Sequence, residues 1–266
     1  MRKHRRTRSE PLTNKLLLVI ERDVRLFFQY KFMIIMRAIW FVSQIALFGL
    51  IASRMISIPG IDYFRYYVAG LSVMTLYSAA IFIGFDLYEE AEHGVFEYLL
   101  CLPVSRRQLV LGRSIGGGLR AFIYVGPLIA VSLYVIGSLN PIAFLISLFA
   151  LFLFAFGVSG MSITLAVIIK SSDRFDILMG VLDALIVRLS TAMYPLVVLQ
   201  ASSPLYAGLA SLNPLTYVTD LFRWGTAVTT LDNPLLPVLV VVAFFGFFTF
   251  VGVTIYDRRI EGGGWQ

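Results

Sequence analysis

Charge is scarce in this sequence: Asp, Glu, Lys and Arg make up 14% of its 266 residues, where soluble domains carry roughly a quarter. Cysteine is scarcer still. The single Cys101 excludes an internal disulfide framework and a cysteine-built zinc site. Histidine occurs twice, at His4 and His93, and neither lies in an apolar run, so intramembrane chemistry would lack a histidine base. No soluble module large enough to read nucleic acid is present. The net charge of +6 is therefore assigned to membrane orientation and anionic lipid, not to nucleic acid. Apolar residues fill the sequence instead. They make up 58% of it, and several runs reach the ~20 residues that cross a bilayer as a helix. The chain reads as an integral membrane protein of all-α class.

Residues 1–10, MRKHRRTRSE, form a basic tail. In residues 11–31, Leu16, Ile20, Val24 and Phe27 follow helical spacing, with Lys15, Glu21, Arg22 and Arg25 between them. This pattern suits an amphipathic helix on the membrane surface; a charged extension of the first span is the alternative. The apolar run that follows is longer than the core of a signal peptide and lacks an A-x-A exit, so it is expected to stay as an uncleaved span. The apolar region, residues 32–256, is expected to hold spans at about 32–53, 66–85, 119–139, 142–169, 177–199 and 236–256, before a tail at 257–266. No charged residue occurs from 121 to 169, a stretch too long for one span, and Asn140-Pro141 divides it. Residues 200–235 are apolar but cut by Pro204, Gly208, Pro214, Gly225 and Pro234. They are too broken to cross and too apolar for a free loop, so they are expected to dip back into one leaflet.

An even number of spans puts both termini on one side. Seventeen of the 22 Lys and Arg then share that side; only Arg54, Arg65 and Arg223 face the other, and Arg37 and Arg188 lie within spans. By the positive-inside rule, both termini and the connection 86–120 face the cytoplasm, across the plasma membrane.

That connection holds the densest charge in the chain. Glu89, Glu90, Glu92 and Glu97 precede Pro103, and Arg106, Arg107 and Arg113 follow it. Acid early suits the macrodipole of a helix over 86–102. Pro103 with Ser105 reads as a break and a new N-cap, with a second helix from Arg106. Such a hairpin suits docking of a cytoplasmic partner. A solvated loop is the alternative, although loops between elements are usually shorter.

Other patterns point less sharply. Glu89 and His93 are four apart on one helix, but so few ligands fit salt bridging or solvation better than a metal site. GVSG at 157–160 resembles the GxSG of intramembrane serine proteases; without a base, its small residues fit close helix packing. GRSIGGGLR at 112–120 lacks the lysine and the preceding strand of a phosphate loop, and reads as a flexible or closely packed start to the third span. Arg188 lies roughly 16 Å into the fifth span by helical rise. A charge at that depth marks a pathway or a paired site. Asp183, five residues earlier, points elsewhere on an ideal helix, so a structural pair with another element and a substrate contact stay equally open.

Two stretches together resemble the ABC type-2 transporter permeases. The run E-H-G-V-F-E-Y-L-L-x-x-P-V-S-R, from Glu92 to Arg106, is similar to that family's signature between the second and third spans. N-P-L-T-Y-V-x-D-x-x-R, from Asn213 to Arg223, with Ser190, Tyr194 and Pro195 before it, resembles a segment of the drug-resistance (daunorubicin-type) branch. The likeness covers most of the chain beyond about residue 15, and His93 departs from it where relatives often carry Arg.

The resemblance implies a half-transporter without enzymatic activity of its own. Two permease copies, as a homodimer or with a second permease, would join two ATP-binding cassette subunits. ATP and Mg would be bound by those partners, and no cofactor by this chain. Glu92, Gly94, Glu97, Pro103, Ser105 and Arg106 would form a coupling helix docked on the ATPase, with Glu89 and Arg107 beside them. Asn213, Pro214, Tyr217, Asp220 and Arg223 would belong to short re-entrant helices that gate the outer side, with Arg188 on the substrate pathway. The implied cargo is amphipathic drugs or lipids moved outward, a polysaccharide or glycolipid being the alternative. An intramembrane enzyme or a stand-alone channel is the rival of another class.

Overall fold

The computed structural model describes residues 12–28, 31–101 and 105–260. Among these, all regular structure is helical apart from one isolated bridge, between Ile58 and Ile61. Helix α1 (Leu12–Phe27) precedes α2, which begins as Lys31–Ser43, passes through a π-helical segment Gln44–Gly49 and ends as Leu50–Met55. Then follow α3 (Tyr63–Ile81), α4 (Ile83–Glu92), α5 (Val95–Cys101), α6 (Arg106–Ile136) and α7 (Pro141–Ile169). Helix α8 (Ser172–Asp183) continues into a π turn, Ala184–Arg188. Three short helices, α9 (Leu196–Ser202), α10 (Pro204–Leu212) and α11 (Pro214–Gly225), lead to α12 (Leu235–Ile260).

Helix starts follow local side-chain chemistry. Asn140 and Asn213 each accept a backbone N–H with the side-chain oxygen, and proline fills the first helical position, where its missing N–H costs nothing. Asn233 caps α12 in the same way, accepting from Leu235 N at 2.9 Å. Ser105 forms a capping box with Gln108 at the start of α6, as expected from the sequence.

Among the described residues, five stretches are long and apolar enough to cross a membrane: Ile34–Met55, Tyr63–Glu92, Arg107–Ile136, Pro141–Ile169 and Leu235–Ile255. Several run beyond the expected bounds, because α4 and the first turns of α6 continue the spans into the polar connection. The stretch 177–199 differs from expectation. Its helix stops after Arg188, and residues 189–195 form a buried turn before α9. Ser190 Oγ donates to Val187 O at 2.7 Å and accepts from Ala192 N at 3.1 Å, which diverts the chain from the helical ladder. Pro195 then sets the start of α9.

Helix α7 is the hub, packed against α3, α4, α6, α11 and α12. Its buried face is rich in Ala, Gly and Ser, and small residues let helices approach closely. Ser159 is part of this packing: its Oγ donates to Ala80 O at 3.2 Å, and Ser162 Oγ donates to Ile81 O and accepts from Gly84 N at 3.1 Å. Both serines thus serve the joint between α3 and α4, where the helical ladder is interrupted. The glycine run of α6 makes room for three neighbours. A Cβ at Gly116 would sit 3.0 Å from Asp23 of α1, one at Gly117 3.0 Å from Ser159 Oγ, and one at Gly118 2.9 Å from the Phe156 backbone.

Candidate functional site

Two buried polar constellations stand out, at opposite ends of the continuous stretch Tyr63–Glu92. The first joins α1, α4 and α6. Glu90 is shared by two arginines: Arg22 Nη2 lies 2.6 Å from Oε1, and Arg113 Nη1 contacts Oε2. One turn back on α4, Asp86 Oδ2 pairs with Arg120 Nη2 at 2.6 Å. Arg113 is 1% exposed and Asp23, beside it on α1, 2%. A cleft of about 250 Å³ opens on this cluster and is also lined by Glu89 and His93. The chain then turns at Gly94, whose φ of 68° favours glycine, and His93 Nδ1 lies 2.7 Å from the Glu89 carbonyl. The helix expected over 86–102 is therefore two helices, α4 and α5, meeting in an exposed elbow. Glu89, Glu92, Gly94, Ser105 and Arg107 are all exposed on it. Pro103 lies outside the described residues, as do the side chains of Glu97 and Arg106.

The second constellation holds the 189–195 turn. A non-helical backbone buried among apolar helices must have its polar groups satisfied by protein. Three successive carbonyls find donors: Tyr66 OH to Thr191 O at 3.0 Å, Arg223 Nη2 to Ala192 O at 2.8 Å, and Tyr63 OH to Met193 O at 3.1 Å. The Thr191 N–H donates to Thr216 Oγ1 at 3.2 Å, and Thr191 Oγ1 donates to Asp220 Oδ1 at 3.4 Å. Asn213 Nδ2 donates to Ile186 O at 2.6 Å, across the π turn, and Tyr217 OH donates to Ser211 O at 2.6 Å. Of the residues that the resemblance placed at an outer gate, Asp220 and Arg223 thus converge on this turn, and Asn213 holds the π turn just before it. Pro214 opens α11, Tyr217 bonds within the short-helix segment, and Arg188 is exposed just before the turn.

A family model described as ABC-2 type transporter matches residues 14–226. The chain belongs to that family. It is 27% identical over 188 residues to the inner membrane transport permease YadH of Escherichia coli K12, covering 67% of this chain and 69% of that protein. It is 25% identical over 188 residues to ycf38 of Cyanophora paradoxa, which carries the name of a transport permease. That match takes in 70% of this chain but 63% of ycf38, so the chain spans less than two thirds of that relative.

For an ABC-2 type chain, the residues that sequence reasoning missed are those of the first constellation: Arg22, Asp23, Asp86 and Arg120, with Glu90 and Arg113 noted only as part of a charge gradient. A signal was present. Asp86 and Glu90 are four apart and Arg113 and Arg120 seven apart, one face of a helix in each case. Running in opposite directions along a hairpin, they match as Asp86–Arg120 and Glu90–Arg113.

Asp23 is held differently from its neighbours. Oδ1 lies 3.3 Å from Arg22 Nη1, while Oδ2 is buried with no hydrogen-bond partner. Burial raises its carboxyl to about 6; Arg113, Arg22 and Arg120 oppose the rise and Glu90 adds to it. Because the folded value lies above the ordinary 3.8, the folded protein keeps a proton that the unfolded chain has released between the two. Ionising Asp23 at neutral pH therefore costs up to about 3 kcal/mol, and this cost disappears as pH falls. Melting curves of the protein and of Asp23→Asn should converge toward pH 3.8, draw apart between pH 3.8 and about 6, and stay apart above that, with the variant more stable there. Equal separation at all pH values would contradict this assignment.

Proposed function

We propose that this chain is the membrane subunit of an ATP-binding cassette exporter, driven by ATP hydrolysis in a separate subunit that grips the α4–α5–α6 elbow. The observation that carries this reading is the elbow itself. It is exposed at Glu89, Glu92 and Arg107 and braced from behind by the Arg22–Glu90–Arg113 bridge. A brace of this kind suits a handle that must transmit force, whereas a loop that only connects two spans has no need of one. The excess of basic residues on that side supports a cytoplasmic elbow and cytoplasmic termini under the positive-inside rule. In this topology α8 and its π turn carry the chain back across most of the bilayer, about 25 Å at helical rise, and the short helices α9 to α11 line the far side. Two copies form the path, most simply as a homodimer. Amphipathic drugs or lipids are the proposed cargo, with Arg188 as a contact on their route. ATP and Mg belong to the partner subunit.

The test is a reconstituted complex of this chain with an ATP-binding cassette subunit that co-purifies with it, assayed for ATP hydrolysis and for efflux of drug and lipid probes. Glu92→Arg reverses one exposed charge on the elbow and should leave the level of membrane-inserted protein unchanged. Surface substitutions of this kind alter fold stability by roughly 0.5 kcal/mol or less. Stimulation of the ATPase by the permease should fall roughly tenfold, the effect of about 1.4 kcal/mol of lost docking. Undiminished stimulation would rule out the elbow as the handle.

A further inference from the structure

We infer that Arg223 is a positioning residue that ties the 189–195 turn and α11 to the end of the α3–α4 rod, so that displacement of the elbow is transmitted to that turn. The inference rests on the transporter reading above. The rod is nearly continuous: α3 and α4 meet at Phe82, whose φ of −63° and ψ of −20° stay helical, and Phe85 N and Asp86 N both donate back to Phe82 O. It is also well encased, with 83% of its most apolar stretch buried. At one end Glu90 is held by Arg22 and Arg113. At the other, about 36 Å away by helical rise, stands Tyr66.

Arg223 divides its donors between the rod and the turn. Nε and Nη2 lie 3.3 and 3.2 Å from Tyr66 O on the rod, and Nη2 lies 2.8 Å from Ala192 O on the turn. Nη1 pairs with Asp220 on its own helix at 3.5 Å, and the guanidinium sits 3.3 Å from the centre of the Tyr66 ring. The side chain is wholly buried. A planar fork that bonds and stacks at once is specific to arginine; lysine supplies the charge without the geometry. Local support of the turn would need only α11, which is nearer in the sequence. The bonds to Tyr66 O, with those from the Tyr63 and Tyr66 hydroxyls to Met193 O and Thr191 O, instead hold the turn to the far end of the rod that runs to the elbow. When the rod shifts or tilts, these carbonyls either follow it or lose their donors.

The experiment uses the complex with its ATP-binding subunit in lipid nanodiscs, where both faces are open to solution. Cys101, which is exposed, is replaced by serine, and Tyr194→Cys, on the exposed part of the turn, reports labelling by a water-soluble maleimide. Trapping nucleotide with vanadate should change the labelling rate roughly fivefold or more, the low end of site-to-site coupling. In Arg223→Gln that change should vanish although the ATP-binding subunit still co-purifies, and Arg223→Lys should restore little of it. If Arg223→Gln does not assemble, Tyr66→Phe removes a single link to Thr191 O and should reduce the change. A response in Arg223→Gln or in Tyr66→Phe as large as in the parent would overturn the clamp alone. A parent that does not respond to trapped nucleotide would overturn the transporter reading and the clamp with it.

Discussion

Glu90→Ala should be among the most damaging single substitutions on the elbow side of the protein. It removes the carboxylate that Arg22 and Arg113 share and leaves Arg113, 1% exposed, facing one acid fewer. Truncating one partner of a buried ion pair costs about 3–5 kcal/mol, because the remaining charge stays desolvated. The exposed pair of Glu21 and Arg25 on α1, 2.5 Å apart, is the internal comparison. Glu21→Ala breaks an equally short contact in solvent and should cost about 1 kcal/mol or less. The measurement is the midpoint of thermal aggregation of the purified complex, with ATPase stimulation recorded alongside. Arg113→Met in the Glu90→Ala background should recover part of the loss by replacing the stranded charge with apolar volume. If Glu90→Ala were as mild as Glu21→Ala, the bridge would not be bracing the elbow.

How far the sequence foretold this structure depended on the distance between cause and effect. Helix starts at Ser105, Pro141 and Pro214 were legible because a cap and its acceptors lie within three residues of each other. The packing role of Ser159 was legible because the alternative chemistry lacked a base. Asp23 was not, since an amphipathic pattern counts every charge as facing outward, whereas Val19 and Asp23 form the face of α1 that is buried, and Leu17 and Leu18 are left exposed. The interruption of 177–199 was hidden for a different reason. Hydropathy registers apolar content, and this stretch has it. The donors that make a turn tolerable there, Tyr63 and Tyr66, lie 130 and 125 residues away in the chain. Gln44–Gly49 carries no local signal for a π-helical segment either, and its contact with α3, Tyr67 OH donating to Gln44 Oε1 at 3.3 Å, is made across 23 residues.

Gly70→Ala should be the most damaging methyl group that can be added to this chain. A Cβ there would lie 1.9 Å from Ala192 O and 2.8 Å from Arg223 Nη2. Neither atom can step aside cheaply: the first is backbone, and the second is held by Tyr66 O and Ala192 O while Nη1 of the same guanidinium pairs with Asp220. Overpacking of this kind costs about 1–3 kcal/mol, occasionally more. Each buried carbonyl that then loses its donor adds about 1–3 kcal/mol. The same substitution at Gly246, in the middle of α12 and with nothing within 4 Å of the new Cβ beyond its chain neighbours, should gain up to about 1 kcal/mol from helix propensity. Gly84→Ala tests the middle ground: its Cβ would meet Ser162 Oγ at 2.3 Å, a side-chain atom that can rotate away but only by giving up its bonds to Ile81 O and Gly84 N. The expected order of loss, read as folded protein recovered in detergent and as thermal midpoint, is Gly70→Ala, then Gly84→Ala, with Gly246→Ala at or above the parent. If Gly70→Ala behaved like Gly246→Ala, the 189–195 turn would have to yield without cost, and three carbonyls held by α3 and α11 would not be fixing its position.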